Sequence, residues 1–124
     1  MRQLFIRSTA VALAALTGST VMAPTSAQAA QTGSDIRIIA TEFKYEPREV
    51  HVKAGAPVTV VLDNSQAATE HGMAVPALKF RVDARAGQVA RKTFVFDKPG
   101  TFPIVCDLPG HTEAGMTGTL VVQK

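Results

Sequence analysis

From Asp35 onward the chain repeats one pattern: a short run alternating apolar and polar residues, then a proline, glycine or asparagine that ends it. In "EVHVKAG", Val50 and Val52 fall on one face, His51 and Lys53 on the other. "PVTVVLDN" groups Val58, Val60 and Leu62 and stops at Asp63-Asn64-Ser65. "QVARKTFVFDKPG" puts Phe94 and Phe96 together ahead of Pro99-Gly100, and "TFPIVC" aligns Phe102, Ile104 and Cys106. The segments "DIRIIATEFKYEP", "TEHGMAVP", "LKFRVDARAG" and "MTGTLVVQ" complete the series. Side chains along a strand point alternately to opposite faces, so each such run buries one face and needs a second sheet to cover it. Turn signals at this spacing, with no amphipathic helical stretch between them, predict an all-β sandwich of about seven or eight strands, rich in antiparallel pairs. Pro103 has no N–H for a ladder, so its strand is expected at an edge or at a bulge. "NSQAAT", residues 64–69, is small and polar and reads as a loop.

Residues 1–29 have a different character. Arg2 and Arg7 precede the apolar run "AVALAAL", and "SAQAA" closes the segment with alanines at 27 and 29. That order is the grammar of a cleavable secretory signal peptide, leaving one domain over residues 30–124. The alternative is an uncleaved anchor, but a span needs about 20 apolar residues. Here Thr17-Gly18-Ser19-Thr20 interrupts the run. The arginines are not adjacent, as a twin-arginine signal requires, and no cysteine lies near the cleavage point to take a lipid. Export to the periplasm with no membrane span after cleavage is therefore expected, as a monomer. Two of the 13 basic residues leave with the leader, so the net charge of the remainder is near +1, not +3. With no basic run interleaved with aromatics, nucleic acid is not an expected partner.

Export makes the cysteine usage informative. Cysteines in oxidising compartments normally pair, yet Cys106 is alone. A single thiol there is a liability unless it is buried, dimerised or bound to metal. In "CDLPGHTEAGM" a histidine and a methionine follow it at equal intervals of five. A fully extended five-residue step covers up to about 17 Å, so only a folded loop can bring Cys106, His111 and Met116 to one centre. Pro109-Gly110 and Gly115 make that folding available. Thiolate, imidazole and thioether together form a soft donor set that favours copper over magnesium or calcium. A type 1 copper site takes a cysteine, two histidines and a weak axial methionine. Of the two remaining histidines, His51 shares a solvent face with Lys53, whereas His71 opens a strand after a loop and can enter one end of the sandwich. His71 is the expected second imidazole. Met73, two residues on, reads as core filler beside the site or as a further soft donor. Glu70, Asp107 and Glu113 surround the loops in sequence, as solvated charges or as an acidic rim.

From about Thr41 to Lys124 the chain resembles the cupredoxins, the blue copper proteins. The resemblance lies in "FKYEPREVHVKAGAPVTVVLDN", "EHGMAV" and above all "PGTFPIVCDLPGHTEAGMTGTLVV". The last has the Cys-x4-His-x4-Met spacing and the Gly-Met-x-Gly-x-Leu-Val-Val ending of small bacterial plastocyanin- and rusticyanin-like members. The resemblance implies a Greek-key sandwich holding one copper ion. It implies His71, Cys106 and His111 as equatorial ligands, Met116 as the axial one, and the edge of His111 as the electron port. Three positions depart from the common pattern. Gly72 stands where many members have asparagine, Asp107 where serine or threonine is frequent, and Val105 where photosynthetic members have tyrosine.

Rival chemistries fit less well. A Cys106–His111 nucleophile would need an orienting third group and an oxyanion hole, and would leave Met116 unexplained. Zinc accepts a thioether poorly. A metal-free structural sandwich leaves four soft donors at that spacing to coincidence. The expected function is a non-enzymatic periplasmic carrier of single electrons through Cu(I)/Cu(II), with a redox protein as partner. The alternative is a copper-binding, delivery or buffering protein serving a copper-dependent enzyme or resistance.

Overall fold

The computed structural model describes residues 34–124. The expected signal peptide, its cleavage point and the start of the domain at residue 30 lie outside the described residues. Nine strands are found among them: β1 (Ser34–Thr41), β2 (Lys44–Glu46), β3 (Glu49–Lys53), β4 (Pro57–Asp63), β5 (His71–Val75), β6 (Phe80–Ala84), β7 (Val89–Val95), β8 (Gly100–Val105) and β9 (Thr117–Gln123). They form two sheets, in the orders β2-β1-β4-β7 and β3-β9-β8-β5-β6. This is the expected all-β sandwich with one more strand than anticipated. The extra strand arises where "DIRIIATEFKYEP" breaks at Phe43, whose φ of 60° turns the chain back so that Thr41 pairs with Lys44. A 3-10 turn at Pro76–Leu78, with no counterpart in the alternation pattern, links β5 to β6.

The pairing is mostly antiparallel, with two parallel ladders, β1–β4 and β3–β9. Each joins strands that are distant in sequence and ties an early segment to a later one. The alternation predicts the core correctly: Val50, Val52, Val58, Val60, Leu62 and Ile104 are all buried. Phe80 of β6 meets Phe94 of β7 and Phe96 at centroid separations of 5.3 Å, closing one side of the sandwich with tilted rings.

Pro103 lies on β8, which is an interior strand in the order of its sheet. Its register partner Thr119 donates its N–H to the Arg48 carbonyl at 2.8 Å, so β9 asks no donor of Pro103. On its other side β8 meets β5 through one pair only, Ala74 with Val105. The missing N–H therefore falls where β8 has no ladder, so the strand is locally an edge at Pro103, as expected, although it lies inside the sheet order.

β4 ends at a polar knot. Asp63 accepts hydrogen bonds from the Ser65 N–H at 3.0 Å and from the Arg37 guanidinium, whose Nε lies 3.1 Å away. The Ser65 hydroxyl first, then the Ser65 N–H and the Arg37 guanidinium, hold its carboxyl down at about 2. A carboxylate depressed in the folded state stabilises the fold above its unfolded value, near 4, and loses that contribution as pH falls toward 2. Acid titration of the metal-free protein should show this loss of stability between about pH 4 and pH 2, and Asp63→Asn should abolish that component.

Candidate metal centre

His71 Nδ1 and His111 Nδ1 lie 3.1 Å apart, and Cys106 Sγ lies 3.4 Å from His111 Nδ1. One ligand atom from each of His71, Cys106 and His111 falls within 4.8 Å of the others. The two sheet strands involved arrive at one end of the sandwich by different routes. His71 is the first residue of β5, and Cys106 directly follows β8, next to the single β5–β8 pair. Both are fully buried, whereas His111 is partly exposed.

Backbone hydrogen bonds fold the segment that the equal spacing singled out. Cys106 N–H donates to the Met116 carbonyl at 3.2 Å, and Met116 N–H donates to the His111 carbonyl at 3.0 Å. Gly110 and Gly115, at φ 81° and 98°, occupy left-handed positions that side-chain-bearing residues rarely take. Thr112 Oγ1 donates to the Cys106 carbonyl at 2.6 Å and ties the middle of the loop to its start. Met116 is thereby returned beside Cys106 and is fully buried.

His71 is aimed by the loop before it. Asn64 Nδ2 lies 2.8, 2.9 and 3.0 Å from the carbonyls of Thr69, Ala84 and Arg85 and shares its two hydrogens among them, anchoring residues 64–70 to the end of β6. Thr69 Oγ1 then lies 3.3 Å from His71 Nε2, which leaves Nδ1 to face the cluster. Burial, reinforced by His111 and opposed by Glu42, lowers the pKa of His71 and keeps the imidazole neutral, the form that binds metal.

Facing Nδ1 atoms can hydrogen-bond only if one ring carries its proton there, whereas a metal ion can take both nitrogens in their unprotonated form. Donors bonded to one first-row ion at roughly 2.0–2.3 Å stand about 3.3–3.8 Å apart, close to the separations seen here. Sulfur with imidazole nitrogen is the soft set that suits copper. Copper fits these residues.

The sulfur has further neighbours. Gly72 N–H donates to Cys106 Sγ at 3.4 Å. The Gly72 carbonyl accepts a hydrogen bond from the buried Tyr45 hydroxyl. Burial first, then proximity to Cys106, pushes the Tyr45 pKa far up, so this hydroxyl stays protonated and donating. Phe43, 45% exposed, sets its ring edge-on to His111 at a centroid distance of 5.3 Å.

His51 is where the strand-face argument places it, exposed on β3 with Nε2 2.7 Å from Glu49. Met73 is fully buried in the hydrophobic core. Glu70 and Glu113 are exposed, but Asp107 is engaged by Arg81 and is not a free rim charge. Sequence reasoning overlooks Phe43, Tyr45, Asn64, Thr69 and Arg81. Most of their contacts join residues far apart in sequence or run through backbone groups, and no local pattern reports them.

A two-sheet β-sandwich with thiol and imidazoles converging at one end defines the copper-binding cupredoxin class. The chain belongs to that family: the cupredoxin-like domain matches residues 9–122. It is 29% identical to cytochrome c oxidase subunit 2 of Thermus thermophilus, over 76% of this chain and 71% of that protein. It is 28% identical to the copper-resistant cuproprotein CopI of Pseudomonas aeruginosa, over 78% of this chain and 80% of that protein. Among solved structures, auracyanin B superposes with a TM-score of 0.64 at 22% identity, covering 73% of this chain and 89% of its own. Auracyanin A, a blue copper protein from Chloroflexus aurantiacus, gives 0.57 at 20% identity, covering 73% and 99%.

Tyr45→Phe removes the donor to a buried carbonyl while preserving the ring. Denaturant unfolding of the metal-free variant should show a loss of about 1–3 kcal/mol, the cost of leaving such a group unpaired.

Proposed function

We propose that His71, Cys106, His111 and Met116 hold one copper ion, and that the protein is a periplasmic carrier of single electrons. The convergence of His71 Nδ1 from the start of β5 with Cys106 Sγ and His111 Nδ1 from the β8–β9 loop carries this reading. Bound there, copper supplies a one-electron Cu(I)/Cu(II) couple. The chain's own part is to hold the donors ready. His71, Cys106 and Met116 are fully buried, Cys106 and Met116 are tied by backbone hydrogen bonds and His71 sits in register with Ala84 of β6, which favours little rearrangement between charge states. The partly exposed His111, with Phe43 against it, is the donor nearest a docking redox protein. Four protein donors leave no position for a substrate, so the reading is not enzymatic. No helix among the described residues is long and apolar enough to cross a membrane.

A second reading, copper buffering or delivery to a copper-dependent enzyme, is favoured by the likeness to the copper-resistant cuproprotein along most of both chains. Copper off-rate and electron self-exchange separate the two. Slow release with fast self-exchange supports the carrier; fast release with slow self-exchange supports delivery.

Copper(II) loading should produce an intense thiolate-to-copper absorption. Cys106→Ser should abolish it, His71→Ala should open an exchangeable position, and His51→Ala should leave the spectrum unchanged. A coloured Cys106→Ser protein, or a colourless His51→Ala protein, overturns the ligand assignment.

A further inference from the structure

The two departures at Gly72 and Asp107 meet in space. A Cβ added to Gly72 would lie 2.6 Å from Asp83 Oδ1 and 3.3 Å from Asp107 Oδ1. Two carboxylates thus lean over one bare Cα, Asp83 from β6 and Asp107 from the residue after Cys106. Alone they would repel. Arg81 lies between them, its Nε 3.0 and 2.8 Å from the two oxygens of Asp83 and its other arm on Asp107. A planar guanidinium with a fixed fork of donors can join two carboxylates in a set geometry, which a point charge cannot.

Gly72 is in register with Asp83, yet its own polar groups go elsewhere: N–H to Cys106 Sγ and C=O to the Tyr45 hydroxyl. At this point β6 is joined to the cysteine loop by side chains, across a glycine whose lack of a Cβ makes the room. Any larger residue at 72 would displace the Asp83 carboxylate.

We propose that Arg81, Asp83 and Asp107, seated over Gly72, form a clamp that positions the Cys106 sulfur and the Gly72 N–H that donates to it. The clamp takes the place of the asparagine and serine or threonine bracing common among cupredoxins. The inference rests on Cys106 being a copper ligand. These residues act through the sulfur and touch no metal, so they are positioning residues. All three side chains are partly exposed, and exposed ion pairs add little to global stability. Their effect belongs at the sulfur.

The test compares Arg81→Ala, Gly72→Ala and the double variant, with Arg91→Ala as control, since Arg91 makes an exposed pair with Asp35 at 3.5 Å. In copper-loaded protein, Arg81→Ala should shift the thiolate-to-copper(II) band and speed Cu(I) release by about 10-fold, the scale of lost support around a metal ligand. Gly72→Ala should shift the band in the same direction. Combining the two should add little, because carboxylates already freed can swing away from a new Cβ. Arg91→Ala should change neither quantity. Band and release rate unchanged in Arg81→Ala, with only a lower Tm, overturns the clamp, as do additive shifts in the double variant. Asp107→Ser gives the same reading should Arg81→Ala fail to fold. If wild-type protein shows no such band, the copper assignment fails, and the clamp is decided in metal-free protein by hydrogen exchange at the Gly72 amide. Faster exchange in Arg81→Ala supports it, and unchanged exchange overturns it.

Discussion

The hydrogen bond from Cys106 N–H to the Met116 carbonyl is the constraint on which the centre depends. It closes an eleven-residue loop, and so places the end of β8 beside the start of β9. With the ends tied, Met116 N–H reaches the His111 carbonyl and Thr112 reaches back to the Cys106 carbonyl. Backbone groups and one hydroxyl meet the loop's internal needs, leaving the thiol, imidazole and thioether free for another use. The sandwich supplies the fourth donor, because the strand that starts with His71 pairs with β8 next to Cys106.

Much of this was legible in the alternation of side chains. Period two reports which face of a strand is buried, and Val50, Val52, Val58, Val60, Leu62 and Ile104 are inside as it requires. It also separated His51 from His71. What it could not report is connectivity. The parallel ladders, the interior place of β8 despite Pro103, and the turn at Phe43 depend on pairing between segments far apart in sequence. The donor cluster was readable because three of its members share one loop. The support around it was not, since Asn64 and Tyr45 act through carbonyls of other segments.

The chain's departures from the common pattern are best understood together. Taken singly, glycine after the first histidine and aspartate after the cysteine suggest a looser site. In space, the absence of a side chain at 72 admits two carboxylates, and Arg81 binds both. Loss at one position and gain at another are two halves of one arrangement. A well-braced site and an unusual sequence are therefore compatible.

Burial of Cys106 has a consequence beyond ligation. Its exposure is 0%, with polypeptide packed around the sulfur. Peroxide and small-molecule disulfides react with thiols they can reach. The interval of danger is thus the time before the sandwich closes. Once folded, the protein can wait for its metal without spending the one sulfur that would receive it.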